Sequence, residues 1–144
     1  MSTLSMLKVR AGIFAAVVTL APLSPLSHAQ DNGMLARVNV PFSFESGAKH
    51  FAPGVYAIRM ENSHTLLIRG VSDSGLALTS IQDDGQAAKR GQAVFQRHGN
   101  RYFLREVTVA GKSRRLYLQM TTEQTRLLKA PTPPSEEVAL LTQR

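Results

Sequence analysis

The residues able to do chemistry are few, and their spacing argues against a catalyst. His50, His64 and His98 follow residue 30, none two or four positions from another, so no metal-ligand spacing exists. Each sits in or beside a turn segment and reads as a solvated turn histidine. Asp83-Asp84-Gly85 resembles the start of a calcium loop, but the alternating acidic ligands and the closing glutamate are missing, which leaves an ordinary turn. Ser80, Asp83 and His98 are the residue types of a nucleophilic triad, yet no serine stands in a Gly-x-Ser-x-Gly elbow. Glu106 and Glu123 are the remaining acid–base groups, and neither lies in a recognisable context. No phosphate-cradling glycine loop or dinucleotide fingerprint occurs. The expectation is a non-enzymatic protein with no catalytic residue, no metal ligand and no cofactor.

Charge offers a positive signal. Residues 85–120 hold Lys89, Arg90, Arg97, Arg101, Arg105, Lys112, Arg114 and Arg115 against Glu106 alone, eight cations to one acid. Arg97, Arg101, Arg105, Lys112, Arg114 and Arg115 are therefore the candidate anion-binding residues. The plainer alternative is that cations on solvent-facing strand positions guard sheet edges against aggregation. Strand alternation cannot put all six on one face. Turn positions would gather Lys112, Arg114 and Arg115 at one end of a sheet and Arg97 with Arg101 at the other.

The compartment narrows the partner. Lys8 and Arg10 precede an apolar run from Ala11 to Leu20, Pro22 and Pro25 break it, and Ser27-His28-Ala29 is a small-x-small cleavage site. Residues 1–29 read as a signal peptide cut between Ala29 and Gln30. The run is far shorter than the ~20 apolar residues of a membrane span. The expected product is exported, periplasmic or secreted, with no transmembrane segment. It keeps 115 of the 144 residues and, losing two cations, a charge of +5 against +7 for the whole chain. Nucleic acid is excluded as a partner by that location, and an anionic envelope polymer or polysaccharide fits it. Cysteine is absent, so an oxidising compartment adds no disulfide.

The elements that must position these groups are strands. From Met34 to Glu45 apolar and polar residues alternate, with Met34, Ala36, Val38, Val40, Phe42 and Phe44 on one face. Pro41 lacks a donor N–H, which requires an edge or a bulge there. Pro53-Gly54 has type II turn chemistry. Val55–Glu61, Thr65–Arg69, Leu76–Ile81, Ala93–His98, Arg101–Val109 and Arg114–Gln119 continue the series across short polar turns. Gly99-Asn100 predicts a II′ hairpin in which His98 faces Arg101, Arg97 faces Tyr102, Gln96 faces Phe103 and Phe95 faces Leu104. Phe95 and Leu104 are then a core pair, and Arg97 lies over the ring of Tyr102. The next turn fits two or three residues, which leaves the facing of Leu116 and Leu118 open.

These features predict an all-β fold of about seven antiparallel strands in a meander, a small barrel or sandwich over residues 30–120. Residues 121–144 form a C-terminal arm: Thr121–Ala130 is irregular or a short helix capped by Thr121 or Thr122. Pro131, Pro133 and Pro134 follow, and Ser135-Glu136-Glu137 reads as a second helix start.

Pro41-Phe42-x-Phe44, Phe51-x-Pro53-Gly54-x-Tyr56 and Phe95-x-Arg97-x-Gly99-Asn100-x-Tyr102-Phe103-Leu104 together resemble a group of small exported bacterial β-proteins of unassigned function. The resemblance implies export and an all-β fold and carries over no catalytic or binding residue. Two functional expectations remain. One is an envelope-associated binding or structural module with a basic surface. The other is a small barrel that carries an apolar ligand among Phe42, Phe44, Tyr56, Ile58 and Phe95. The same residues would also fill a closed core, which short strands favour.

Overall fold

The computed structural model describes residues 33–143, so the predicted signal peptide and the Ala29–Gln30 cleavage site lie outside the described residues. The chain forms β1 (Met34–Val40), β2 (Phe44–Ser46), β3 (Lys49–Phe51), β4 (Gly54–Asn62), β5 (Thr65–Arg69) and β6 (Ser74–Asp83). It continues with β7 (Gln92–His98), β8 (Arg101–Thr108), β9 (Arg114–Leu118), α1 (Thr122–Lys129) and β10 (Ser135–Leu141). The all-β expectation holds, with ten strands rather than seven.

The first difference lies at Pro41. Ala36, Val38 and Val40 are buried in alternation with exposed Arg37 and Asn39, as the period of two requires. Proline then ends the ladder, and the predicted single strand becomes β1 and β2. Phe44 is buried in β2, whereas Phe42 lies in the connection and is half-buried. β1 is an edge strand that pairs with β4.

The second difference is β10. Ser135 does not cap a helix; Ser135–Leu141 pairs antiparallel with β7 through seven residue pairs. A helix that short is marginal in water, while the free edge of β7 offers a row of backbone partners. Val138 and Leu140 alternate with exposed Ala139 and Leu141 and pack against the core. The helix forms earlier. Thr121 caps α1 with its hydroxyl accepting from the Gln124 N–H at 3.2 Å, and the Gln124 side chain accepts from the Thr121 N–H at 3.0 Å.

The path of the sheet is β1-β4-β5-β6-β9-β8-β2-β3, with β7 on the other edge of β8 and β10 beyond it. β2 runs parallel to β8 through Glu45 and Phe103, and the other pairs are antiparallel. The sheet is mixed and does not close into a barrel, which corrects that half of the expectation. Its two ends meet at a single bridge, where Arg37 and Gln143 exchange backbone hydrogen bonds of 2.7 and 2.8 Å. The β7–β8 hairpin has the predicted register from His98–Arg101 to Phe95–Leu104. Gly99 takes φ 63° and no described non-glycine residue has a positive φ, as a II′ turn requires. The register then steps to Val94–Glu106, leaving Arg105 as the extra residue of a bulge. That step lets both Leu104 and Val107 face inward. Leu116 pairs with Val107, and with Leu118 it joins the core, which settles the facing left open.

The core has two different ends. At one, Phe42, Phe44, Phe51, Tyr56, Phe95 and Tyr102 form a connected aromatic plug. Phe42 stacks on Tyr102 at 3.9 Å between centroids, Phe44 stacks on Phe51 at 4.9 Å, and T-shaped contacts of 5.2–5.6 Å join the rest. Segments 41–44, 51–56 and 95–102 thus supply one plug. The other end, where β4, β6 and β8 finish, has no such layer among the described residues.

Candidate functional site at the open end

The six candidate cations do not form one surface. Arg101 is held by Glu45 through Nε–Oε1 and Nη2–Oε2 hydrogen bonds of 2.9 Å each and reaches Glu123 at 3.3 Å. Its guanidinium lies 5.1 Å above the Phe103 ring, which is buried on the face opposite the main core. The Arg101 hydrogen bond holds the Glu45 carboxyl below the usual carboxylate range and, in return, raises the guanidinium further. Gln124 adds its amide to Glu45 at 3.3 Å and to the Gly47 carbonyl at 2.7 Å, fastening α1 to the β2–β3 turn. Arg97 lies 5.7 Å over the Tyr102 ring, as expected, donates from Nε to the Gly99 carbonyl and pairs with Glu136 at 3.6 Å. Arg115 sits between Asp84 at 2.7 Å and Glu106 at 3.2 Å. Arg105 donates to Gln96 at 3.2 Å. Lys112 and Arg114 are exposed and form no ion pair among the described residues.

The sequence count missed the acids that fold back onto residues 85–120. Glu45 comes from β2, Glu123 from α1, Glu136 from β10, and Asp84 from just outside the span. What remains is a cationic rim. Ala88 and Lys112 share a backbone hydrogen bond of 2.9 Å, which seats the Lys89–Arg90 loop beside the β8–β9 turn.

That rim borders a cleft of about 370 Å³ at the open end, lined by Leu35, Met60, Ile81, Val109, Lys112, Ser113, Arg114 and Leu116. Its floor follows from strand alternation. Tyr56, Ile58 and Met60 point inward from β4; Ala77, Thr79 and Ile81 do so from β6. Met60 and Ile81 are the last inward positions of their strands, so no further layer of described residues covers them. A register slip between Met34 and Ala36 places Leu35 against the core as well. Asp83 faces Arg114 across the β6–β9 ladder, but its carboxyl accepts from the Gly85 N–H at 3.0 Å and from the Ser113 hydroxyl. The Gly85 bond above all keeps it below the usual carboxylate range.

A second depression of about 490 Å³ lies on the outer face, lined by Ala88, Lys89, Arg90, Gln92, Glu106, Thr108 and Arg115. Burial pushes the Glu106 carboxyl up against the opposing pull of Arg115. Glu106 and Glu123 are therefore ion-pair partners of arginines. The triad residue types are not joined: Asp83 bonds Gly85 and Ser113, while His98 Nδ1 lies 3.3 Å from Ser135 Oγ. His50 and His64 are exposed as expected. His98 is not, at 7 % exposure, because β10 covers its strand with the Ser135 hydroxyl opposite the ring. No group of three or more histidine, aspartate or glutamate side chains able to hold a metal occurs among the described residues. No described helix is long and apolar enough to cross a membrane.

Phe44, Tyr56, Ile58 and Phe95, expected either to line a ligand cavity or to fill the core, are buried in the core, and Phe42 packs against them. None of the five lines the open-end cleft. No family model, curated protein or solved structure matches the chain.

Proposed function

We propose that the protein is an exported, non-enzymatic binding module whose site is the open-end cleft and whose ligand is a small apolar molecule. The observation that carries this reading is an apolar floor at the open end of the sheet, where Leu35, Met60 and Ile81 present partly exposed surface above buried Val109 and Leu116 among the described residues. The cleft's volume of about 370 Å³ falls in the ~300–1,000 Å³ range of small-ligand pockets. Export rests on the residue 1–29 pattern, and N-terminal sequencing of the released protein that found those residues retained would remove it.

A neutral environment-sensitive dye, N-phenylnaphthylamine, tests the site. Saturable binding is expected in the native protein and its loss in Ile81→Trp, which fills the cleft from a position already 38 % exposed. Saturable binding undiminished by that substitution would place the ligand elsewhere.

The exposed Lys89, Arg90, Lys112 and Arg114 support a second reading, an anionic envelope polymer or polysaccharide bound at the same end. Arg97, Arg101 and Arg115 add little to it because carboxylates already hold them.

A further inference from the structure

We propose that the cleft takes an amphiphile with one anionic head group, the simplest being a medium-chain carboxylate, with Lys112 and Arg114 as its head-group ligands. This rests on the cleft being the binding site. The lining divides by chemistry: five apolar side chains make the floor, and Lys112, Ser113 and Arg114 follow one another along the rim. Ligand pockets are built this way, with apolar walls for affinity and a few polar groups to fix orientation.

Neither cation is held in an ion pair among the described residues, in contrast to Arg97, Arg101 and Arg115 on the same hairpins. Asp83, opposite Arg114 in the ladder, attracts it electrostatically but forms no ion pair with it, accepts from the Gly85 N–H and does not line the cleft. A neutral apolar ligand would fill the floor and leave both cations on the rim unused. An anionic head group there gains a charge-assisted contact, including the planar guanidinium donor pair suited to a carboxylate.

Volume sets the tail. A cleft of about 370 Å³ lies near the small end of the ~300–1,000 Å³ range of ligand pockets, which suits a medium-chain rather than a long-chain tail. Decanoate has such a tail.

Displacement of the neutral dye by decanoate and by decan-1-ol tests the inference. Decanoate is expected to bind about five- to tenfold tighter than the alcohol at low salt, the effect of two partly exposed charges. Its advantage should shrink as salt rises. Lys112→Gln/Arg114→Gln should erase the advantage while leaving decanol affinity unchanged, which also shows that the variant is folded. Equal affinity for acid and alcohol in the native protein, or an advantage that survives the double substitution, overturns the head-group assignment and leaves the cleft reading standing. Displacement by neither ligand overturns both.

Discussion

Arg101 and Glu45 meet through two parallel hydrogen bonds of 2.9 Å although 56 positions separate them in the chain. The pair sits beside the one parallel strand contact among the described residues, Glu45 with Phe103, and Gln124 completes it from α1. It makes one node of β2, β8 and the helix, three elements whose local sequences say nothing of one another. Glu45 is 19 % exposed and Arg101 38 %, so solvent weakens the pair without abolishing it. Charge-assisted bonds of this kind are worth about 1.5–3 kcal/mol when dry. Discounted for screening, Arg101→Ala should cost about 1–2 kcal/mol in urea denaturation.

Two glutamates should show opposite pH dependences. Glu45 is more acidic folded than unfolded, so its stabilisation is complete above the unfolded value of about 4.3 and fades as pH falls through the lower folded value. The penalty of Glu45→Gln should therefore shrink on acidification. Glu106 is less acidic folded than unfolded, so the native state holds its proton more firmly and loses that advantage as pH rises through the higher folded value. The stability difference between the native protein and Glu106→Gln should accordingly move in the other direction. Urea midpoints at pH 3.5 and pH 7 decide both; slopes of the same sign would contradict the assigned environments.

The aromatic plug should respond by position. Phe44→Ala should cost roughly 3–5 kcal/mol, the usual loss for a buried phenylalanine. Phe42→Ala should cost about half as much, since Phe42 is half-buried and outside the strand. Ser43→Ala, at an exposed position, should be nearly silent. Equal effects of the two phenylalanines would restore the single continuous strand that alternation alone suggested.

Local rules made the hairpin readable and left the node and the cleft out of reach. Gly99-Asn100 sets the register of its own neighbours, so Phe95–Leu104 and Arg97–Tyr102 follow from spacing. At Thr121 or Thr122 the sequence offers a hydroxyl cap without deciding between a short helix and an irregular arm, and the same cap reading fits Ser135 equally well. What separates them is tertiary: Ser135–Leu141 finds the free edge of β7, a partner that no local pattern announces. The charge count failed for the same reason, because Glu45, Glu123 and Glu136 reach the arginines only through long-range pairing. The cleft is an ending of alternation. Met60 and Ile81 continue core-facing alternation in sequence, and only the absence of a layer of described residues above them makes them a floor.

Gly70 should resist substitution although its backbone needs no positive φ. A Cβ placed there would lie 2.7 Å from the Tyr56 ring, whose hydroxyl is fixed by a 2.5 Å bond to the Ala52 carbonyl. The ring cannot swing away without breaking that bond and disturbing Phe44 and Phe51. Overpacking of this kind costs about 1–3 kcal/mol, so Gly70→Ala should lower the thermal midpoint measurably. Gly70→Ala combined with Tyr56→Phe should recover part of the loss, because the freed ring can shift. A single substitution without effect would show that the ring has room to move.

Retention on immobilised heparin should separate cations that face solvent from those that hold the fold. Lys112→Ala/Arg114→Ala removes two charges that carry no ion pair among the described residues, so retention should fall while the urea midpoint stays within about 0.5 kcal/mol. Arg115→Ala should do the reverse. Its guanidinium already lies between Asp84 and Glu106, so the polymer gains little from it, and its loss leaves the half-buried Glu106 carboxylate without its counter-charge. Retention of the native protein should fade steeply with salt, since exposed charges act over a Debye length of about 8 Å at physiological ionic strength. If Arg115→Ala weakened retention as much as the double variant did, with no change in stability, Arg115 would belong to an anion-binding surface after all.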